Sequence, residues 1–398
     1  MTGPLTGLSV LTIEEYGVGP FASQLFGDLG ATVTKIENPA RGGDSSRHVP
    51  PHQQGTDSLY FEALNRNKRS ITLDLKDDAD RRRFHALVAR SDAVLNNLRA
   101  STAATLGLRY QDLSQINPAI VCCSASGWGS TGPRAAEPTY DYLLQAYVGN
   151  MALTGEPGQP PSRSAVPWVD TSSGFAVAFG MLAGITAARS TGRGCDVDIA
   201  MVDVAMSQWM YMATWYLSAG TVQERQTMSR HGSIVPSQLF ETADGYLIVM
   251  PQTQHFWRIL CDVVGRPDLA DDERFDTMRH RQLNRDELLA ILTRVFRMRT
   301  SDEWIGLAAG KLPVGKVNTF AEALDTYAAE YPSQIVEWEH DTLGTVRTVG
   351  CPIRISGNDV EARPAPRLGA DNAAVLDGLD RLAESEERTA ALAPQTKV

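Results

Sequence analysis

Residues 7–44 read GLSVLTIEEYGVGPFASQLFGDLGATVTKIENPARGGD, and they limit the fold more than any other stretch. An apolar run from Leu8 to Ile13 meets a glycine turn, an amphipathic segment and a second apolar run ending in Lys35-Ile36-Glu37. That order predicts strand, tight loop, helix, strand, the unit that starts a parallel α/β sheet. Gly17-Val18-Gly19-Pro20-Phe21-Ala22 fits G-x-G-x-x-G/A, and Glu37 stands about 20 residues further on, where dinucleotide folds keep a ribose-binding acid. Pro20 suits a first helical turn, whose amides point at an anion. Two details oppose a dinucleotide. Glu14-Glu15 place negative charge just before the turn, and Pro20 removes one donor from the cradle.

The chain has 398 residues, enough for two domains or one elaborated domain. Its net charge of −10, from 37 basic and 47 acidic residues, argues against a general nucleic-acid surface. Cys122, Cys123, Cys195, Cys261 and Cys351 form no CxxC pair and are odd in number, which fits reduced thiols in a cytoplasmic protein. The seven histidines lack metal-ligand spacing, so no metal is expected. Met1-Thr2-Gly3-Pro4 leads straight into a strand, with no secretory signal expected. The apolar run Phe175 to Ala188 is too short for a bilayer and reads as a buried helix, so no membrane partner is expected.

Strand and helix signals alternate through the first two hundred residues. Ser70 to Leu75 reads as a strand, Asp77 to Arg90 as a helix with Arg81-Arg82-Arg83 on a solvated face, and Ala119 to Ser126 as a buried strand. Tyr140 to Leu153 and Ser172 to Thr186 read as helices, and Val197 to Val204 as strand or helix. A mostly parallel sheet with helices on both faces is implied. Met206 to Leu217, dense in Met, Trp and Tyr, reads as core or interface. Gln238 to Met250 predicts a hairpin around Asp244-Gly245, followed by helices at Phe256 to Val264, Arg285 to Arg297 and Ser301 to Ala309. Gly344 to Ile355 supplies further strands, and the tail beyond about Ser385 is polar and expected to fray.

Asp170 precedes a long apolar helix, which suits an N-cap. The same carboxylate at the edge of a cleft, shielded from bulk water, could attack a thioester and form a mixed anhydride. A helix start would keep it ionised and offer amides to an oxyanion, so the two readings are compatible. Asn65-Arg66-Asn67-Lys68-Arg69 suits either a phosphate clamp or a solvated loop. Asn96-Asn97-Leu98-Arg99 follows an apolar strand, where open α/β sheets bind ligands.

Several short motifs in a fixed order resemble the class III CoA-transferase family, of the formyl-CoA and carnitine CoA-transferase type. They include Gly19-Pro20-Phe21, Gly27-Asp28-Leu29-Gly30-Ala31, Lys35-Ile36-Glu37, Asn65 to Ser70, Leu73-Asp74-Leu75-Lys76 and Asn97-Leu98. Gly127-Trp128-Gly129, Thr131-Gly132-Pro133, Asp170, Thr191 to Gly194, Asp244-Gly245, Arg274-Phe275 and Pro364 to Gly369 continue the series over nearly the whole chain.

The resemblance implies an α/β fold: a Rossmann-like large domain with a parallel sheet (1–205), a linker (206–224), a smaller α+β domain (225–330), and a linker with a C-terminal return (331–398). It implies two such chains as interlocked rings in a homodimer. It implies CoA thioester and carboxylic acid as substrates, with no tightly bound cofactor, and Asp170 as the nucleophile. Tyr16, Gly17 and Val18 would line the thioester end of CoA, and Leu73, Asp74, Leu75 and Lys76 the adenine and ribose-phosphate end. Asn38, Asn97, Leu98, Arg99 and Thr105 would contact CoA, with Tyr140 and Asp141 bordering the site. Basic residues common at the positions of Asn38 and Thr105 are absent, and the Gly232 to Pro236 connection lacks the glycine-rich flap of formyl-CoA transferases. The superfamily's α-methylacyl-CoA racemase uses Gly-His-Asp where Thr139-Tyr140-Asp141 stands; a tyrosine of ordinary pKa is a poor base at neutral pH. Acyl-CoA racemization and CoA binding without turnover remain the alternatives.

Overall fold

A computed structural model describes residues 2–379; the polar tail expected to fray beyond Ser385 lies outside them. The described residues form two compact units. One comprises residues up to Val148, Ser164–Tyr211 and the chain from Tyr331 onward; the other comprises Gly149–Arg163 and Met212–Glu330.

The first unit is built on six parallel strands: β1 (Ser9–Ile13), β2 (Thr32–Glu37), β3 (Lys68–Thr72), β4 (Ala93–Asn96), β5 (Val121–Ser126) and β6 (Cys195–Ala200). Their order is β3-β2-β1-β4-β5-β6, with Val10 opposite Val33 on one side and Ala93 on the other. Strand order reverses between β1 and β4, so the loops leaving their C-terminal ends diverge and open a crevice. Side-chain alternation feeds two cores. Val10, Val33, Leu95 and Cys123 pack with Val18, Phe26, Val177 and Met181 on one face. Leu11, Ile71, Val94 and Cys122 pack with Phe84, Val88 and Leu113 on the other. Adjacent Cys122 and Cys123 therefore sit on opposite faces, and burial pushes both thiols up.

The long helix Trp168–Thr191 is, by length and mean hydropathy of 1.4, sufficient to cross a bilayer, where the sequence suggested a shorter run. Val169, Val177, Met181, Ile185 and Ala188 instead bury one side in the first core. The strand expected at Ser70 to Leu75 ends at Thr72: Leu73 N still donates to Glu37 O as the last rung of the ladder, and Asp74 N leaves it for Asp80 Oδ2. The helix expected from Tyr140 to Leu153 breaks at Gly149, whose φ of 85° ends one helix and starts another. The Asn65–Arg69 cations form neither a clamp nor, apart from Arg69, a solvated loop. Arg66 pairs with Asp28, and Lys68 is buried against Glu14. From Tyr331 onward, Trp338 and Ala365 donate to Glu62, while Asp371 and Asn372 accept from Ser70 N and Thr72 N, covering the exposed edge of β3.

In the second unit, Gln238–Glu241 and Tyr246–Val249 form the expected hairpin, closed by Thr242 N donating to Gly245 O, with Val314–Lys316 as a third strand. Helices Gln254–Val263, Arg285–Phe296 and Ser301–Ala308 contribute to a core that includes Phe240, Trp257, Leu292, Phe296 and Trp304. Gly149–Arg163 joins this unit through Arg225, whose guanidinium donates to the carbonyls of Met151, Ala152, Glu156, Gln159 and Pro160.

Candidate active site

Two cavities, of about 400 and 320 Å³, lie in the crevice at the C-terminal ends of the first unit's strands. The larger is lined by Ile13 and Glu14 at the end of β1, Ile36, Glu37 and Asn38 at the end of β2, Leu73, Asp74, Leu75 and Lys76 after β3, and Leu98 and Thr105 beyond β4. The smaller is lined by Tyr16, Gly17 and Val18, by Asn97, Leu98 and Arg99, by Ser126 to Trp128 after β5, and by Tyr140 and Asp170. Glu15, Arg41, Leu98 and Thr102 line both, so the cavities meet along a shared wall.

Gly17 lets Asp170 reach this crevice. A Cβ on Gly17 would stand 2.3 Å from Asp170 Oδ2 and 2.7 Å from its Cγ, so no other residue fits without moving the carboxylate. A Cβ on Gly19 would press on Glu14 at 2.8 Å. The two glycines of the apparent dinucleotide fingerprint thus make room for two carboxylates. Tyr16, just before, has φ 62°, a backbone region that costs a non-glycine residue about 1–3 kcal/mol. Asp44 Oδ1 accepts from Tyr16 N at 3.2 Å, and Asn97 brackets Glu15 by accepting from its N at 3.0 Å and donating to its O at 2.7 Å. The Asn97 side chain is thereby committed to holding the loop.

Glu37 is no ribose ligand. Arg47 donates to it through Nε at 2.8 Å and Nη2 at 2.7 Å, and Ser70 Oγ donates at 2.6 Å. Burial alone would raise its carboxyl, but Arg47, Lys35 and Ser70 outweigh burial and hold it below the ordinary value. Beneath the loop, Lys35 Nζ lies 2.8 Å from Asp44 and donates to Glu14 O at 2.9 Å, while Lys68 Nζ lies 3.0 Å from Glu14. Burial pulls the Lys68 ammonium down to about 8.

Asp170 is the third residue of its helix and not its cap. The cap acceptor is Asp141, whose Oδ2 takes Val169 N at 2.7 Å and Asp170 N at 3.0 Å, while Oδ1 takes Gln145 Nε2 at 2.6 Å. Asp141 is buried and lines neither cavity; Tyr140 does, 67% exposed and edge-on to Tyr16 at 6.4 Å. The expectation that a helix start keeps Asp170 ionised is reversed: burial first, and then the Asp141 charge, push its carboxyl up to about 7. The amides there are also committed, Val169 and Asp170 to Asp141 and Thr171 to Pro167 O, so the Ser172–Ser173 end offers no oxyanion site. Among the described residues, Gly17 N and Val18 N have no acceptor. Sequence reasoning missed Glu15, Arg41 and Thr102, which carry no motif of their own, and it gave the Gly127-Trp128-Gly129 motif no place in the site; all enter the crevice because strand ends converge there.

A six-stranded parallel α/β sheet whose switch point holds a partly buried carboxylate over a glycine loop defines a ligand-binding α/β protein. The profile of CoA-transferase family III matches residues 5–372, and the chain belongs to that family as an acyl-CoA:carboxylate CoA-transferase. It is 32% identical over 375 residues to succinyl-CoA:glutarate CoA-transferase of Homo sapiens, covering 94% of this chain and 85% of that protein. It is 34% identical over 378 residues to acetyl-CoA:oxalate CoA-transferase of Acetobacter aceti, covering 94% and 95%. The crystal structure of a CaiB/BaiF family protein from Brucella suis superposes with TM-score 0.80 at 32% identity, over 96% of this chain and all of that one.

Proposed function

We propose that this protein moves CoA from an acyl-CoA thioester to a carboxylic acid with Asp170 as nucleophile. An Asp170 oxygen attacks the thioester carbonyl, the C–S bond breaks, and an aspartyl mixed anhydride forms with release of CoA thiolate. The thiolate attacks Asp170 Cγ and expels the donor carboxylate, leaving an aspartyl-CoA thioester. The acceptor carboxylate attacks Cγ, releasing thiolate and forming a second anhydride. The thiolate then attacks the acceptor carbonyl, freeing Asp170 and the new acyl-CoA, with no net proton change. The observation that carries this reading is the placement of Asp170 against Gly17, in one cavity with Tyr16, Val18 and Leu98. The open amides of Gly17 and Val18 are the candidate oxyanion donors. Excluding water protects each anhydride.

The cavity bearing Asp170 would take the thioester, and the cavity bounded by Leu73 to Lys76 the adenosine end. The first unit would be the CoA-binding domain and the second the smaller domain. We place the protein in the cytoplasm, in keeping with its free cysteines, and read it as a homodimer of interlocked rings. Met206, Met210, Tyr211, Tyr216 and Leu217 are all exposed on the isolated chain, as is Phe179 at 77%, which a second copy would cover.

Hydroxylamine trapping during turnover tests the chemistry. A hydroxamate on Asp170 by peptide mass spectrometry is expected, and Asp170→Ala should abolish transfer while CoA still binds. Transfer retained in Asp170→Ala would refute the nucleophile. No adduct, together with α-proton exchange into deuterated water, would favour racemization.

A further inference from the structure

The positions where the family pattern places positive charge, Asn38 and Thr105, line the larger cavity without supplying any. Thr105 Oγ1 turns back on its own helix, donating to Ser101 O at 2.9 Å. Asn38 does something else. Its Oδ1 accepts from Ala40 N at 2.9 Å and caps the short 3₁₀ turn Pro39–Arg41, which Gly42 ends at φ 71°. The turn delivers Arg41 to the wall shared by the two cavities.

Among the described residues Arg41 is the only cationic one lining both; Lys76 lines the larger alone and Arg99 the smaller alone. Its side chain is 62% exposed, and Nη1 lies 3.1 Å from Glu15 Oε1, whose other oxygen accepts from Ser45 Oγ at 2.8 Å. An exposed pair of this kind contributes little by itself, and a guanidinium with five N–H donors keeps most of them for a ligand. The buried acids nearby, Glu14, Glu37 and Asp44, are already matched by Lys68, Arg47 and Lys35.

We infer that Arg41, presented by the Asn38-capped turn, binds the pyrophosphate of the CoA thioester where it passes between the two cavities. This rests on the CoA-transferase reading above. With the thioester beside Asp170 and the adenosine beside Leu73 to Lys76, the chain that joins them, pyrophosphate and then pantetheine, crosses the shared wall, and the pyrophosphate is its anionic part. A planar guanidinium suits two phosphate oxygens at once. Asn38, which caps the turn carrying Arg41, positions it.

Calorimetric titration of CoA and of dephospho-CoA, which lacks the 3′-phosphate, tests the assignment in wild type, Arg41→Ala and Asn38→Ala. Loss of a charged hydrogen-bond donor should raise Kd for both ligands by about tenfold or more in Arg41→Ala. Asn38→Ala should move both in the same direction by less, and the wild-type advantage should shrink as salt rises. An unchanged Kd in Arg41→Ala would overturn the assignment, and so would a loss confined to CoA, which would move Arg41 to the 3′-phosphate. Wild type that binds neither ligand would remove the CoA-transferase reading and this assignment together. Arg41 stands in solvent, so its removal leaves the fold intact, which circular dichroism checks.

Discussion

Two sets of buried or half-buried carboxylates near the crevice stand opposite in electrostatics. Glu14, Glu37 and Asp44 are buried with cations against them: Lys68, Arg47 and Lys35. For Glu37 and Asp44, burial alone would raise the carboxyl, but those cations and local donors win and hold both below the ordinary value. Asp141 accepts from the backbone N of Asp170, no cation is paired to either carboxylate among the described residues, and Asp170 is pushed up to about 7. A carboxylate locked by a cation is a poor nucleophile and a good brace. One raised by burial and a like charge is reactive and weakly held. The first group shapes the Tyr16–Gly17 loop, and the second supplies the carboxylate that stands against it.

Removing a cation from the first group is the largest expected blow to stability. Lys35→Met would strand Asp44 and strip a donor from Glu14 O beneath the loop. Breaking a buried pair by deleting one partner costs about 3–5 kcal/mol. Urea denaturation at pH 7 should show a loss of that order. A loss below about 1 kcal/mol would mean the braces are dispensable and the contrast between the two groups is empty.

Deleting the charge from the second group should have the opposite sign. A folded-state carboxyl raised from 3.8 to about 7 binds its proton more tightly than the unfolded chain does, so ionisation costs stability as pH rises between those values. Asp170→Asn should therefore raise Tm at pH 8 in the absence of substrates, by the equivalent of ~2 kcal/mol once partial solvent exposure is allowed for. The gain should fade to nothing below about pH 4. Equal Tm values at pH 8 would show that Asp170 is relaxed in the resting protein.

Much of this contrast was legible in the residues and some was not. The strand–loop–helix–strand start, the hairpin at Asp244-Gly245 and the helix beginning near Asp170 follow from apolar periodicity and turn residues, which are local. What Glu37 and Lys68 do is not local. Glu37 reads as a ribose ligand until Arg47 and Ser70 fold onto it, and Lys68 reads as a surface cation until Glu14 meets it in the core. Asp141 shows the same limit: it follows Tyr140 in the chain, yet its carboxylate caps a helix that starts 27 residues later. Arg41 lies in a Gly/Pro-rich loop with no pattern to mark it, and only the convergence of strand ends places it between two cavities.

Asp141→Asn is the smallest and most discriminating change. An asparagine oxygen in the place of Oδ2 still accepts both helix amides, so the cap is kept and the bond from Gln145 Nε2 is lost. The charge beside Asp170 is lost. If transfer runs through the Asp170 carboxylate, as proposed, kcat/KM in the wild type should rise with pH through a midpoint near 7, the value burial and Asp141 set. In Asp141→Asn the midpoint should fall, because the like charge no longer opposes ionisation. It should stay above the ordinary carboxylate value, because burial is the larger cause and is untouched. A midpoint that does not move would assign the whole shift to burial and reduce Asp141 to a helix cap. A fall all the way to the ordinary range would make the like charge dominant. Either result would redraw the line between the carboxylates that brace this site and the one proposed to react.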